Sequence, residues 1–274
     1  MRKINVLLSI ILILTLLLAA CTVVPSQTPA VPSSPEMTPV PEMTPPGMDK
    51  DVLYLNLTWH QHQPLYYKNA DGIYTRPWVR VHATKDYYDM AAILENYPNV
   101  HVTINITPVL MKQLDDFVNN GAKDYYWVLT EKPAADLTVE EKTYILTRFF
   151  DANWTNMIGR FPRYKELLDL RGGTDADTIA AAVEKFTEQD FRDLQLWFNL
   201  AWIDPSFLAE EPLNALVSKG RDFSEEDKTV LFNEVRTIIS GVIPEHKKLQ
   251  DAGQIEVITT PYAHPILPLI YNSK

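Results

Sequence analysis

Residues Val52 to Tyr67 read VLYLNLTWHQHQPLYY. The first half is a short apolar run of the kind that forms a buried strand. The second half packs two imidazoles (His60 and His62), two amides, a tryptophan and two tyrosines around Pro64. In parallel α/β architectures the loops at the C-terminal ends of strands build the functional site. A strand running into such a loop therefore predicts both the fold class and the site. Three readings of the loop stay open at this point: a metal site, a sugar site and a packed loop.

Three further runs have strand character: Val100–Thr107 (VHVTINIT), Leu194–Trp202 (LQLWFNLAW) and Ile255–Thr260 (IEVITT). The first strand is expected over Val52–Thr58. Helical patterns lie between them. Asp86–Asn96 places Tyr87, Met90, Ala91 and Leu94 on one face, and Val109–Val118 follows Pro108, a good first helical residue. Thr138-Val-Glu-Glu141 is a capping box opening a helix to about Phe150. Another helix is expected near Asp177–Phe186, and Ser224-Glu-Glu-Asp227 opens a long one ending near Gly253. Strands alternating with helices predict a parallel sheet or barrel, with residues 120–193 as a helical insertion beside it. All four expected strand exits carry polar or aromatic groups: His60–Pro64, Asn105–Pro108, Ala201–Pro205 and Thr259–Pro265.

The first fifty residues read apart from the folded domain. Arg2 and Lys3 precede an apolar run from Ile4 to Ala20, which ends in small residues before Cys21, the only cysteine. This resembles the lipobox of bacterial lipoproteins, and the alternative is an uncleaved membrane anchor. The expectation is a signal peptide over 1–20, a lipidated Cys21, and an exported protein held on a membrane. With Cys21 lipidated, disulfides and thiolate metal sites are excluded. Residues 21–50 carry Cys21 and then a run rich in Pro, Thr and Ser that reads as an extended tether. Residues 51–274 then form the folded domain. The chain has 25 Lys and Arg against 35 Asp and Glu; loss of Arg2 and Lys3 with the signal leaves 23 and a balance of −12. That excess argues against nucleic acid and anionic lipid as partners.

His60 and His62 could grip one metal ion, since residues i and i+2 of a strand point the same way, with Glu256 or His264 as a further ligand. A sugar site instead needs planar hydrogen-bonding groups for hydroxyls and aromatic faces for the ring. His60, His62 and Gln63 supply the first; Trp59, Tyr66, Trp78 and Trp202 could supply the second.

At this point the sequence resembles glycoside hydrolase family 57, an α-glucan-active family built on an incomplete (β/α)7 barrel. HQHQP at His60–Pro64 is similar to its first conserved region, and GQIEVITTPYAHPILPL from Gly253 to Leu269 to its second. The segments GIYTRPWVRVHATKDYYDM and LQLWFNLAWIDP are similar to the longer amylopullulanase-like members. Two ordered motifs about 190 residues apart carry the likeness. It implies an α/β fold, the N-terminal strands of a TIM-like barrel, and α-glucan as substrate. His60 and His62 would line the subsite of the scissile sugar, and Glu256 would support it from the start of its strand. His264 and Trp202 are candidates by strand-exit position. The family's retaining chemistry needs a nucleophilic glutamate and an acid/base aspartate, and both belong to regions that follow HPILPL. No catalytic residue is therefore assigned here, the chain is expected to be an N-terminal fragment, and no metal or organic cofactor is implied. The rival readings are a non-catalytic sugar-binding lipoprotein and a His-x-His metal-dependent hydrolase.

Overall fold

The computed structural model describes residues 52–272. Cys21, the signal segment 1–20 and the tether 21–50 lie outside them. The chain divides after Tyr54, and every regular element lies in the unit that begins at Leu55.

A small parallel sheet organises the site. Its strands are β1 (Thr58–Gln61), β2 (Val102–Ile106) and β3 (Ile255–Ile258), in the order β1-β2-β3. The register places Thr58, Thr103 and Glu256 in one cross-strand row and His60, Asn105 and Ile258 in the next row on the same face. The opposite face carries Val102, Ile104, Ile106, Ile255 and Val257, all packed into the helical core. Across β2 and β3 one face is therefore apolar and packed, though Trp59 of β1 stays exposed on it, and the other is polar and carries the histidine His60.

The strand expected over Val52–Thr58 begins only at Thr58 and runs to Gln61. A strand exists by pairing, and the ladder starts where Leu57 C=O accepts from Thr103 N–H at 2.9 Å. Leu55, two residues before Leu57, is 79% exposed. The crossover from β1 to β2 begins with α1 (Trp78–His82). It continues through a π turn (Ala83–Tyr87), an α turn (Asp89–Ala92) and a 3-10 turn (Ile93–Asn96). The helix expected over Asp86–Asn96 is thus present but irregular. Tyr87, Ala91 and Leu94 are buried as their spacing predicts.

After β2, α2 (Pro108–Asn119) starts at its proline. The insertion then supplies α3 (Tyr125–Glu131), α4 (Val139–Arg148), α5 (Pro162–Arg171) and α6 (Ala176–Lys185). The Thr138–Glu141 capping box forms as expected.

The third expected strand does not exist. Leu194–Trp202 lies almost wholly in α7 (Glu188–Ala201), opened by a capping box between Thr187 and Asp190. The segment reads as a strand because apolar residues fill it, yet it is a helix buried on every side. Gln195 and Asn199, four residues apart, are both buried and spend their amide hydrogens on backbone carbonyls and on Thr130. Trp202–Asp204 is accordingly a helix exit. Asp204 caps the next turn, its Oδ1 accepting from Ser206 N–H at 2.9 Å. The long helix α8 (Glu225–Asp251) opens on the Ser224–Asp227 box and leads into β3.

Helices α1, α3 and α7 meet on one buried ion pair. Arg80 Nε donates to Asp124 Oδ2 at 2.5 Å and Nη1 donates to Asn199 Oδ1 at 2.7 Å, with both charged residues at or below 1% exposure.

Candidate functional site

Two strand ends converge on one cluster of imidazoles. His60 and His62 come from the β1 exit and His264 from the β3 exit. Ring centroids lie 4.7 Å apart for His60–His264, 5.2 Å for His62–His264 and 5.5 Å for His60–His62. Gln61, between the first two, turns to the opposite face and is buried, as strand alternation requires.

Each histidine has its own setting. His60 Nδ1 lies 2.8 Å from Asn105 Oδ1, its cross-strand partner in the register. The amide oxygen can only accept, so Nδ1–H donates and Nε2 is left for another group. His62 is held near its neutral form: burial lowers its pKa first, and the fields of His264 and His60 lower it further. His264 adopts φ 50°, a left-handed conformation uncommon outside glycine, closed by its own N–H donating to Pro261 C=O at 2.8 Å. Its loop is tied to the sheet by Thr259 Oγ1, which donates to Ile106 C=O at 3.0 Å, and to α2 by Val109 N–H, which donates to Tyr262 C=O at 3.2 Å.

The HQHQP loop is pinned from α2. Gln113, 1% exposed, accepts from Tyr66 N–H at 2.9 Å and donates to Pro64 C=O at 3.0 Å. Gln63 donates to Tyr87 Oη at 3.0 Å and accepts from Tyr66 Oη–H at 2.7 Å. Its amide is therefore engaged within the loop and shapes it.

The other sequence candidates fall elsewhere. Glu256 lies on the histidine face but one row nearer the strand starts, about 7 Å along the strand. It is exposed, accepts from Thr103 Oγ1 at 3.3 Å and bonds to no imidazole. Trp59 shares its row with Ile104 and Val257, on the face opposite His60. Trp202 sits in a second cluster, its ring centroid 5.2 Å from His82 and 6.0 Å from Trp78, with Nε1–H donating to Asp151 C=O. That cluster adjoins the first through Tyr87, whose ring lies 6.0 Å from His82 and whose hydroxyl donates to His62 C=O at 3.3 Å. His82 in turn pairs with Asp86 at 2.6 Å. Sequence reading has Asn105 only as a strand-exit residue and misses Tyr87, His82 and Gln113 as site residues. Only Asn105 had a usable signal, as a polar residue near the end of an aliphatic strand.

Among the described residues no group of three or more His, Cys, Asp or Glu is arranged to hold a metal ion. The cluster offers imidazole edges, an amide and flanking aromatic rings, a set suited to hydroxyl groups and carbon-bound ring faces.

The model of glycosyl hydrolase family 57 matches residues 56–274. The chain belongs to that family, and so to the glycoside hydrolases. No curated protein matches it significantly. Among solved structures the α-amylase AmyC from Thermotoga maritima is similar, at 16% identity and a TM-score of 0.33. That match covers 79% of this chain and 29% of the amylase chain. So loose a likeness defines neither fold nor function.

Proposed function

We propose that this chain forms the sugar-binding wall of an exported, lipid-anchored glycoside hydrolase that acts on α-glucans with retention. The observation that carries the reading is the convergence of His60, His62 and His264 at the strand exits of a family 57 chain. Nε2 of His60 and the rings of His62 and His264 supply directional hydrogen bonds to hydroxyls of one sugar unit. Glu256 supports the same subsite from the row beneath. The aromatic cluster of Trp78, His82 and Trp202 extends the wall toward a neighbouring unit.

In this reading β1, β2 and β3 are the opening strands of an incomplete (β/α)7 barrel. Their polar face, with Thr58, His60, Thr103, Asn105 and Glu256, is its inside; the covered apolar face is its outside. Retention requires two carboxyl groups ~5–5.5 Å apart, one as nucleophile and one as acid/base. Neither part is assigned to a described residue. Cys21 carries the lipid, and residues 22–50 space the domain from the membrane.

The test is calorimetric binding of maltoheptaose, with cellohexaose as control, together with release of a chromogenic leaving group from an α-maltoside. Both are measured on protein expressed from the complete gene. Selective maltoheptaose binding that weakens about tenfold or more in H62A supports the reading. Equal affinity for both oligosaccharides, or an H62A variant identical to wild type, sinks it.

A further inference from the structure

Arg171, at the end of α5, breaks a rule that the other buried arginines among the described residues keep. Arg80 and Arg163 each bond to buried carboxylates, Asp124 and Asp193. Arg171 is only 3% exposed and has no carboxylate partner. Its Nε reaches Gly172 C=O at 3.3 Å, its Nη1 reaches Leu146 C=O at 3.5 Å, and its Nη2 makes no hydrogen bond. Two rings take the place of an anion: the guanidinium carbon lies 4.8 Å from the Phe150 centroid and 5.6 Å from that of Trp154. Burial lowers its pKa, while Tyr164 and Asp151 oppose that shift. A buried donor without an acceptor is destabilising, a reason to look at what surrounds it.

Trp154 is the complement. It is 54% exposed, yet it is fixed. Its Nε1–H donates to Phe150 C=O at 3.2 Å and its C=O accepts from Gly159 N–H at 2.9 Å. Asn153 Oδ1 braces the same loop by accepting from the N–H groups of Thr155 and Asn156. Beside this ring lies a pocket of about 630 Å³ lined by Trp154, Thr155, Lys165, Asp169 and Arg171 among others. That volume accommodates a small ligand.

We propose that this pocket on the helical insertion is a second saccharide-binding site, which takes a hexose unit of a neutral glucan. The fixed tryptophan offers a flat apolar surface to the C–H face of the sugar. Thr155 and the mutually paired Lys165 and Asp169 offer donors and acceptors at the rim, and the Arg171 guanidinium packs against the Trp154 ring. An anionic ligand fits less well, because the Lys165 ammonium in the wall is already paired with the Asp169 carboxylate and the Arg171 guanidinium is buried. The pocket shares no residue with the histidine cluster. The polymer's identity as an α-glucan rests on the function proposed above; the pocket rests on its own geometry.

The experiment is calorimetry on the H62A chain with maltoheptaose, cellohexaose and sodium sulfate as separate probes, repeated with W154A and with R171K added. Thermal unfolding of each variant checks that it is folded. Trp154 is exposed, so W154A is expected to fold. Maltoheptaose binding that survives H62A and then weakens about tenfold or more on W154A supports the site. A Kd unchanged by W154A overturns it while leaving the histidine site standing. Trp154-dependent binding of cellohexaose alone keeps the pocket and overturns the α-glucan reading. Sulfate binding that is lost in R171K, without binding of either saccharide, overturns the sugar proposal in favour of an anion site.

Discussion

His60 Nδ1 and Asn105 Oδ1 stand 2.8 Å apart across β1 and β2, so the orientation of the leading histidine is set by a neighbouring strand. The amide fixes which nitrogen carries the proton and leaves Nε2 for a ligand. Asn105→Ala is expected to weaken oligosaccharide binding about fivefold, the worth of roughly one hydrogen bond, with little loss of thermal stability. Asn105→Asp keeps an acceptor oxygen opposite Nδ1 and is expected to bind more tightly than Asn105→Ala. Titration calorimetry reads both effects. An Asn105→Ala chain that binds like wild type shows that the tether does not position His60.

The cluster also predicts a proton linkage. His62 is held below its ordinary value by burial first and then by His264 and His60. His264→Ala removes one of these fields, so the His62 titration moves up toward about 6.5 without reaching it, since burial remains. Histidine ring resonances in NMR follow the shift directly. If His62 titrates at the same pH in both proteins, the two rings are not coupled.

Much of this site was legible in the sequence because its parts are local. His60 and His62 lie two residues apart at the end of β1, and alternation along a strand is enough to place them on one face with Gln61 on the other. His264 was legible only as a strand-exit residue, and its approach to His60 is a product of the sheet order. Asn105 could not be paired with His60 before the register was known. The error at Leu194–Trp202 has a different cause. A helix buried on all sides has no polar stripe to mark its period, and its Thr187–Asp190 capping box lies seven residues upstream of the apolar run. Trp202 and Asp204 were consequently read as strand-exit residues when they close one helix and open another. Glu256 was placed correctly at the start of its strand, and its distance from the imidazoles follows from that position.

The buried ion pair of Arg80 and Asp124 carries a stability prediction. Asp124 also caps α3, its Oδ1 accepting from Trp127 N–H at 2.9 Å. Asp124→Ala leaves a guanidinium uncompensated in the core and removes the cap, so a loss of about 3–5 kcal/mol is expected in urea unfolding. Arg80→Met on that background should recover part of the loss, because the unpaired charge goes with it. If the double variant is less stable than Asp124→Ala by the full cost of Arg80→Met alone, the two residues are not energetically coupled.

His246, on α8, gives a pH dependence of stability separable from that of the site. It is 2% exposed, its Nδ1 lies 2.7 Å from Val242 C=O, and its Nε2 makes no hydrogen bond. Burial is the main cause that lowers its pKa; the bond to Val242 works the other way. The unfolded chain therefore binds this proton more readily than the folded one. Stability from the neutral ring is complete above the ordinary value of about 6.5 and is lost as pH falls from there to the folded value. Glu245 has the opposite sign: burial raises its carboxyl pKa, so its protonation favours the folded state as pH falls toward the ordinary carboxylate range. The two are separated by comparing wild type with His246→Leu in urea at about pH 7.5 and about pH 5.5. Wild type should lose more stability than the variant between those points, and His62→Ala should remove a further part of the loss. Equal losses in wild type and His246→Leu would show that a different group governs the acid sensitivity of the fold.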